Sequence, residues 1–468
     1  MSNTSPENPA NGTPPPVKSE AAAGSADALG RGNRKSAWHF APCFGTWQGL
    51  INPVLVTVPT ILLKSLGYSN ALVGFATLAT LPMAFKFLLG PMVDAHHTRR
   101  WWCVNGGGWL MGCLVILAGS LMLPQFSLGL YLTALFLLAI VKSIHQVALN
   151  GFFTLALTKQ EQALFSGLDP VWGRAATILS GSVLLAVAGG VAARYGAPRL
   201  TWGLYFAALL LVFTPLYFYT RRMFPRPAAD RVSTPATRAA SLPFGAVLRS
   251  YFALPALLPG AAYLFFMRSG QTMLDKMGVA FLMDARTAGG YGLSIAEVSI
   301  FTGIMTVCGI AGGALAGVLL RKFGLRRVIW PFSLAAVLPA AVYVFLALTS
   351  NSPRAHWACD LSWFGAGVWQ LDFVLLALLG LESFGFGLGF TVMNFYMFRM
   401  AAGSSYPASH VALSASVIYL SYLLFGMISG ICQEWLGYPG LFMLSIGVSL
   451  PALATIPFLN YALDERKE

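Results

Sequence analysis

Charged residues are scarce in this chain. They make up 10% of its 468 residues, whereas hydrophobic residues make up 56%. A soluble protein carries about 25% charged residues, so this composition excludes a soluble globular protein and indicates that most of the chain lies in lipid. A formal net charge of +13 would favour a nucleic-acid partner in a soluble protein. In this chain the positive charge follows membrane topology instead, and we expect no nucleic-acid partner.

Paired cysteines and catalytic constellations are also missing. The six cysteines have no close paired spacing, and most fall in apolar segments, where cysteine behaves as a small apolar residue. No Ser/His/Asp constellation, phosphate-binding loop or cluster of metal ligands occurs in the sequence. Residues 1–36 lack the apolar core of a signal peptide and predict a disordered tail. The sequence therefore predicts no enzyme activity, no cofactor and no metal site.

Twelve long apolar segments are present. Each is long enough to cross about 30 Å of hydrocarbon as a helix. They predict an all-α integral membrane protein with twelve transmembrane helices, at residues 41–63, 71–93, 101–123, 128–157, 171–194, 201–220, 252–283, 295–320, 328–349, 370–398, 408–433 and 440–462.

The basic residues predict the orientation of the chain. Twenty of the 30 lysines and arginines fall in connections on one side of the predicted membrane, and five fall within the apolar segments. The remaining five are on the other side, at Lys64, Arg194, Arg199, Arg286 and Arg354. Because cytoplasmic loops carry the excess of basic residues, we expect both termini in the cytoplasm.

One motif occurs twice, six apolar segments apart. Gly90–Asp94 followed by Arg99–Arg100 closes the second segment, and Gly317–Gly324 followed by Arg326–Arg327 closes the eighth. Such a repeat predicts two pseudo-symmetric six-helix bundles, as in secondary transporters. We expect a tail at 1–36, bundles at 37–220 and 251–463, a cytoplasmic linker at 221–250 with a short helix near Phe244–Ser250, and a tail at 464–468.

Polar groups inside the apolar segments are the candidates for function, since a charge at that depth costs several kcal/mol unless it faces a cavity or a partner. Five of them are basic and two are acidic, which predicts an electropositive cavity suited to an anionic solute. The predicted solute-binding residues are Lys142, Arg174, Arg268, Gln271, Gln146, Asn150, His145 and Asn394. The predicted gate residues are Lys86, Asp94, Arg99, Arg100, Arg326 and Arg327.

Two carboxyl groups are candidates for proton coupling. Glu382 lies in the middle of the tenth segment, with no cation within a helical turn in sequence. A desolvated carboxyl group without a charge partner can exchange a proton near neutral pH, which a proton symporter requires. Asp275 is the second candidate. It and its neighbour Lys276 point about 100° apart on a helix, so they need not pair with each other.

Three segments carry a family resemblance. Leu81–Asp94 (LPMAFKFLLGPMVD), Leu381–Gly389 (LESFGFGLG) and Pro407–Ser414 (PASHVALS) resemble motifs of the AmpG-like muropeptide permeases of the major facilitator superfamily. Gly426–Tyr438 looks closer to the related siderophore-uptake branch. The chain departs from the fourth-segment motif of the permeases, because Val147 and Gly151 replace its two acids.

The resemblance implies a secondary active transporter of the bacterial cytoplasmic membrane, expected as a monomer. It would import a bulky anionic, anhydromuropeptide-like solute by proton symport, and a ferric siderophore is the alternative solute. Two other classes are disfavoured. The duplicated motif argues against a membrane-embedded acyl- or glycosyltransferase with His145 or His410 as base, and a non-transporting sensor built on a carrier fold would normally carry a sizeable soluble output domain.

Overall fold

A computed structural model describes residues 36–195, 198–228, 230–232, 244–350, 356–360, 368–402, 404 and 406–461 of the chain. The predicted tails at 1–36 and 464–468 thus fall almost wholly outside the described residues, as does most of the linker. Within the described part, the α-helices are Pro42–Val56, Val58–Ser65, Asn70–Phe75, Leu81–Ala84, Leu89–His96, Arg99–Met122, Leu128–Ala156, Lys159–Ile178, Leu184–Arg194, Pro198–Met223, Phe244–Phe252, Leu257–Met283, Ile295–Phe323, Leu325–Val337, Ala340–Leu348, Phe373–Ala402 and Pro407–Thr455.

These helices form twelve membrane spans, as predicted. Ten described stretches are long and apolar enough to cross a membrane. Leu257–Met283 gives one more. Together with the helix Phe244–Phe252, from which it is bent by 91°, it is also long and apolar enough to cross a membrane. The last stretch contains two spans, since Gly437 has non-helical φ and ψ of 66° and 178° inside it. We number them spans 1 to 12 in chain order.

Several spans are interrupted where the sequence disfavours a continuous helix. Span 1 breaks at Thr57, next to the helix that carries Pro59 in its first turn. Span 2 alternates between α-helix and 3₁₀-helix up to Leu88. Span 5 contains a π-helical turn at Leu179–Val183. Such breaks release backbone groups from the helical ladder and commonly mark functional positions.

A short α-helix and a pair of strands lie outside the spans in the described part of the chain. The helix Phe244–Phe252 precedes span 7, where the sequence predicts a short helix. An antiparallel hairpin precedes span 10, and its strands His356–Asp360 and Val368–Asp372 pair with His356 opposite Asp372. Between Ser350 and Phe373, the structure describes only those two strands.

Small residues bring the helices together. Gly45 and Gly49 of span 1 lie against the backbone of span 5 at Asp169 and Gly173, so closely that an added Cβ at either glycine would overlap that backbone. Similar glycine contacts join span 8 to span 10, and span 7 packs along spans 11 and 12. Contacts of this kind replace the hydrophobic effect as the packing force between helices in lipid.

Among the described residues, the two six-helix halves meet mainly at spans 2 and 11, 5 and 8, and 1 and 7, with a smaller contact between spans 2 and 7. We call the membrane side at which span 1 ends the distal side, and the opposite side proximal. The contacts of span 2 with span 11, and of span 5 with span 8, are densest at the distal ends and become fewer toward the proximal ends. The halves are therefore closed against each other on the distal side.

Candidate solute and proton sites

A polar cluster joins spans 7 and 10 inside the second half. Arg268 and Asp275 form an ion pair with 2.7 Å between Nη2 and Oδ2. The Nε2 atom of Gln271 donates to Asp275 Oδ1 at 3.2 Å and to Glu382 Oε1 at 3.1 Å. Glu382 also accepts a hydrogen bond from Ser383 at 3.1 Å and is 2% exposed. Two carboxyl groups are thus held by one amide.

Aromatic rings enclose this cluster. The guanidinium of Arg268 and the ammonium of Lys276 lie over the ring of Tyr422 in span 11, at 5.4 Å and 5.5 Å from its centroid. Cations gain electrostatic stabilisation from the face of such a ring. Lys276 does not pair with its neighbour Asp275 but donates to the backbone carbonyl of Val56 in span 1 at 3.0 Å. It thereby links the two halves.

A second group of polar side chains lies in the first half. The Nζ atom of Lys142 in span 4 donates to Asn52 Oδ1 in span 1. One turn away, Gln146 donates to Gln48 Oε1 at 2.8 Å. Lys86 of span 2 lies 4.7 Å from the ring centroid of Tyr419 in span 11. Lys86 and Lys142 are close enough to repel each other electrostatically.

Span 1 connects the two groups. Gln48, Asn52 and Val56 are spaced four residues apart, so they form a stripe along one face of the helix with about 6 Å between successive members. The stripe contacts Gln146, Lys142 and Lys276 in that order. Residues from spans 1, 4, 7 and 10 therefore belong to one continuous polar region between the halves.

The charges of this region are unevenly neutralised. Arg268 is paired with Asp275, and both carboxyl groups lie in the second half. Lys86 and Lys142 have only amide, aromatic and like-charged neighbours, and no carboxylate of the described residues lies within ion-pair distance of either. The first half consequently presents the uncompensated positive charge.

Four predicted solute-binding residues lie apart from these contacts. Arg174 and Asn150 are exposed and have no hydrogen-bond partner among the described residues. Asn394 donates to Phe390 of its own helix at 2.8 Å. His145 is 2% exposed, donates to the carbonyl of Cys103 at 3.0 Å and packs edge-on against Trp47. Their role in solute binding stays a prediction.

Lys86 lies inside span 2, beside Lys142 and Tyr419, and the other predicted gate residues occupy the proximal ends of the spans. The backbone N–H groups of Arg99 and Arg100 donate to the two carboxylate oxygens of Asp230 at 2.7 and 2.9 Å. Arg100 also donates to the carbonyl of Phe224 at 3.1 Å. Arg326 and Arg327 are exposed at the equivalent start of span 9. The side chain of Asp94 lies outside the described residues.

A distal polar network was not predicted from the sequence. Asp284 at the end of span 7 forms an ion pair with Lys64 and accepts from Asn70 of span 2 at 3.1 Å. Asn70 also donates to Gln433 at 2.7 Å, and Tyr438 donates to Asp284. This network, which we call the distal lock, joins the first half to the second half through buried or largely buried side chains.

Four further residues of the site were not predicted from the sequence, namely Gln48, Asn52, Tyr419 and Tyr422. A signal for the first two was available, because two amides four residues apart in an apolar segment form a polar stripe on a membrane helix. Tyrosines are common in membrane spans, and nothing in the sequence distinguishes Tyr422 from the others. The members of the distal lock come from loops and helix ends, where polar residues are expected without any special role.

The chain is similar to several bacterial proteins, two of which are named as putative transporters. It is 24% identical to an uncharacterized protein of Haemophilus influenzae over 395 residues, which cover 82% of this chain and 85% of that protein. It is 21% identical to "Putative transporter AmpG 4" of Rickettsia conorii, covering 89% and 94%. It is 22% identical to "Putative transporter AmpG 2" of Rickettsia bellii, covering 88% and 93%. No protein-family model matches the chain.

Solved structures of transporters share the fold. The crystal structure of a D-xylose–proton symporter superposes with a TM-score of 0.66 at 13% identity, covering 91% of this chain and 96% of that one. The nucleoside transporter NupG superposes with a TM-score of 0.60 at 14% identity, covering 90% and 97%. The chain thus has the fold of these transporters, and its predicted resemblance to AmpG-like permeases of the major facilitator superfamily is confirmed.

Proposed function

We propose that this protein imports an anionic, anhydromuropeptide-like solute into the cytoplasm by proton symport. The observation that carries the proposal is the pair of lysines, Lys86 and Lys142, which have no carboxylate partner among the described residues. Cations held by amides and an aromatic ring, with no acid to neutralise them, favour an anionic group of a solute. The similarity to two proteins named as AmpG transporters supports a muropeptide as that solute.

In this proposal the two halves have different tasks. The first half binds the anionic group through Lys142 and Lys86, with Gln48 and Asn52 orienting it. The second half carries the proton on Glu382, beside Asp275. Arg268 is already paired with Asp275, so we assign it to the proton site in preference to direct binding of the solute. The distal closure of the halves is then the state that faces the cytoplasm.

Uptake by the purified protein in liposomes tests the proposal. With a proton gradient directed inward, radiolabelled anhydromuropeptide should accumulate and a ferric siderophore should not. Lys142→Gln removes a charge-assisted hydrogen bond worth about 1.5–3 kcal/mol, so the KM should rise roughly 10- to 150-fold. Glu382→Gln should abolish accumulation against a gradient and leave exchange of labelled for unlabelled solute.

Lys322→Gln serves as the matched control, because Lys322 is an exposed lysine that lies over Phe323 at the proximal end of span 8. Its uptake kinetics should equal those of the unsubstituted protein. Accumulation of the siderophore without the muropeptide would replace the solute we propose. Full accumulation by Glu382→Gln would remove that residue from proton coupling.

A further inference from the structure

Gln271 occupies an unusual position between two acids. Its single Nε2 atom donates to Asp275 and to Glu382, the two carboxyl groups of the polar cluster. The side chain is 8% exposed, and its Oε1 atom is buried with no hydrogen-bond partner. A side-chain amide offers two N–H donors and one acceptor oxygen, so this arrangement uses the donors and leaves the acceptor unsatisfied.

An unsatisfied buried acceptor is costly, and buried polar atoms normally find a partner. Two ionised carboxylates cannot supply one, because they only accept hydrogen bonds. One added proton changes this. If a carboxyl group of the pair is protonated, its O–H can donate to Gln271 Oε1 while Gln271 Nε2 still donates to the other carboxylate. The Nε2 and Oε1 atoms of the amide then each have a partner, one on each acid.

We infer that Gln271 is a positioning residue that makes Asp275 and Glu382 share one proton. This inference rests on the proposed proton symport and names the residue that couples its two acids. The proton comes from water and forms an O–H bond on Glu382, and on release it returns to water. The amide of Gln271 stays neutral and only turns, so that Oε1 faces the protonated Glu382 and Nε2 faces Asp275.

The surrounding charges favour Glu382 as the holder of the proton. Arg268 pairs with Asp275 at 2.7 Å and so stabilises its ionised form. Glu382 has no cation partner among the described residues, and its second oxygen accepts from neutral Ser383. Lys276 of span 7 lies over Tyr422 of span 11, and Tyr343 of span 9 interacts electrostatically with both acids.

Sharing gives the pair a property that separate acids lack. Two acids that interact strongly titrate as a unit, and the change at one is felt at the other. Asp275 is linked to Arg268, which lies over Tyr422 of span 11. A movement of span 11 against span 7 would therefore reach Glu382 through Arg268, Asp275 and Gln271.

Infrared difference spectroscopy of the full-length protein in lipid nanodiscs tests this coupling without any solute. The carbonyl stretch of protonated Glu382 is assigned by its loss in Glu382→Gln, and its intensity is followed against pH. Asp275→Asn should displace the titration midpoint of this band by about one pH unit or more, the size expected for strongly interacting sites. In a Gln271→Leu background the same substitution should displace it by less than half as much.

Ser383→Ala is the matched control, because it removes the other donor to Glu382 without touching the bridge. It should move the band itself and leave the effect of Asp275→Asn in place. Gln271→Asn repeats the test with an amide too short to reach both acids, should Gln271→Leu fail to fold. If the band still titrates and Asp275→Asn displaces its midpoint equally with and without Gln271, the inference is overturned. If the two acids prove to be coupled but the protein does not take up muropeptide, only the proposed function is overturned.

Discussion

The distal lock makes a quantitative prediction about the conformational equilibrium. Asp284→Asn keeps the shape of the side chain and removes its negative charge, so that Lys64 loses its ion-pair partner. The two side chains are only 11% and 15% exposed, which limits screening by solvent. Asn70 and Tyr438 lose a charged acceptor for their hydrogen bonds to the same carboxylate.

The magnitude follows from these contacts. A hydrogen bond to a charged group contributes about 1.5–3 kcal/mol, and the asparagine oxygen can still accept the bond from Tyr438. We therefore count only the Lys64 interaction as lost, and expect the ratio of distal-closed to distal-open molecules to fall roughly 10- to 150-fold. Because the lock joins the two halves, its loss acts on this ratio more than on the folding of either half.

Distances between spin labels measure the effect. Labels at Gln125 and Thr287, which are exposed on the distal side of the first and second halves, should report a longer distance population in Asp284→Asn. Glu297→Gln is the control, since Glu297 is also an acid on the distal side but bonds only to Ser294 in its own capping box. An unchanged distance distribution in Asp284→Asn would refute the assignment of the lock.

Two further substitutions test packing. Gly430→Ala would place a Cβ against the carbonyl oxygen of Asn70. Since overpacking costs about 1–3 kcal/mol, the same labels should report the longer distance in this variant. They should not do so in Gly447→Ala, where the added Cβ has no atom within 4 Å. His145→Phe should lower the midpoint of thermal unfolding in detergent, because the loss of the hydrogen bond to Cys103 costs about 1 kcal/mol. If His145 only packs, the KM for labelled anhydromuropeptide should stay within about twofold of its normal value. A tenfold rise in KM would show that His145 contributes to solute binding.

Several features of the site could be anticipated from the sequence. Glu382, Asp275, Arg268 and Gln271 were selected as polar residues in apolar spans, and the structure brings all four into one cluster. The reason is physical, because lipid forces costly polar groups to face one another or a cavity. Their partners were not anticipated, among them the ion pair between Arg268 and Asp275.

The twelve spans and their duplicated arrangement were determined by the sequence itself. Length and hydropathy decide which segments cross a membrane, since the bilayer accepts only long apolar helices whose backbone groups are satisfied internally. The tertiary structure alone decided which polar groups meet. Gln271 and Glu382 are 111 positions apart in the chain, Asn52 and Lys142 are 90 apart, and Lys64 and Asp284 are 220 apart. Contacts between distant spans depend on how helices pack, and helical periodicity in one segment carries no information about the face of another.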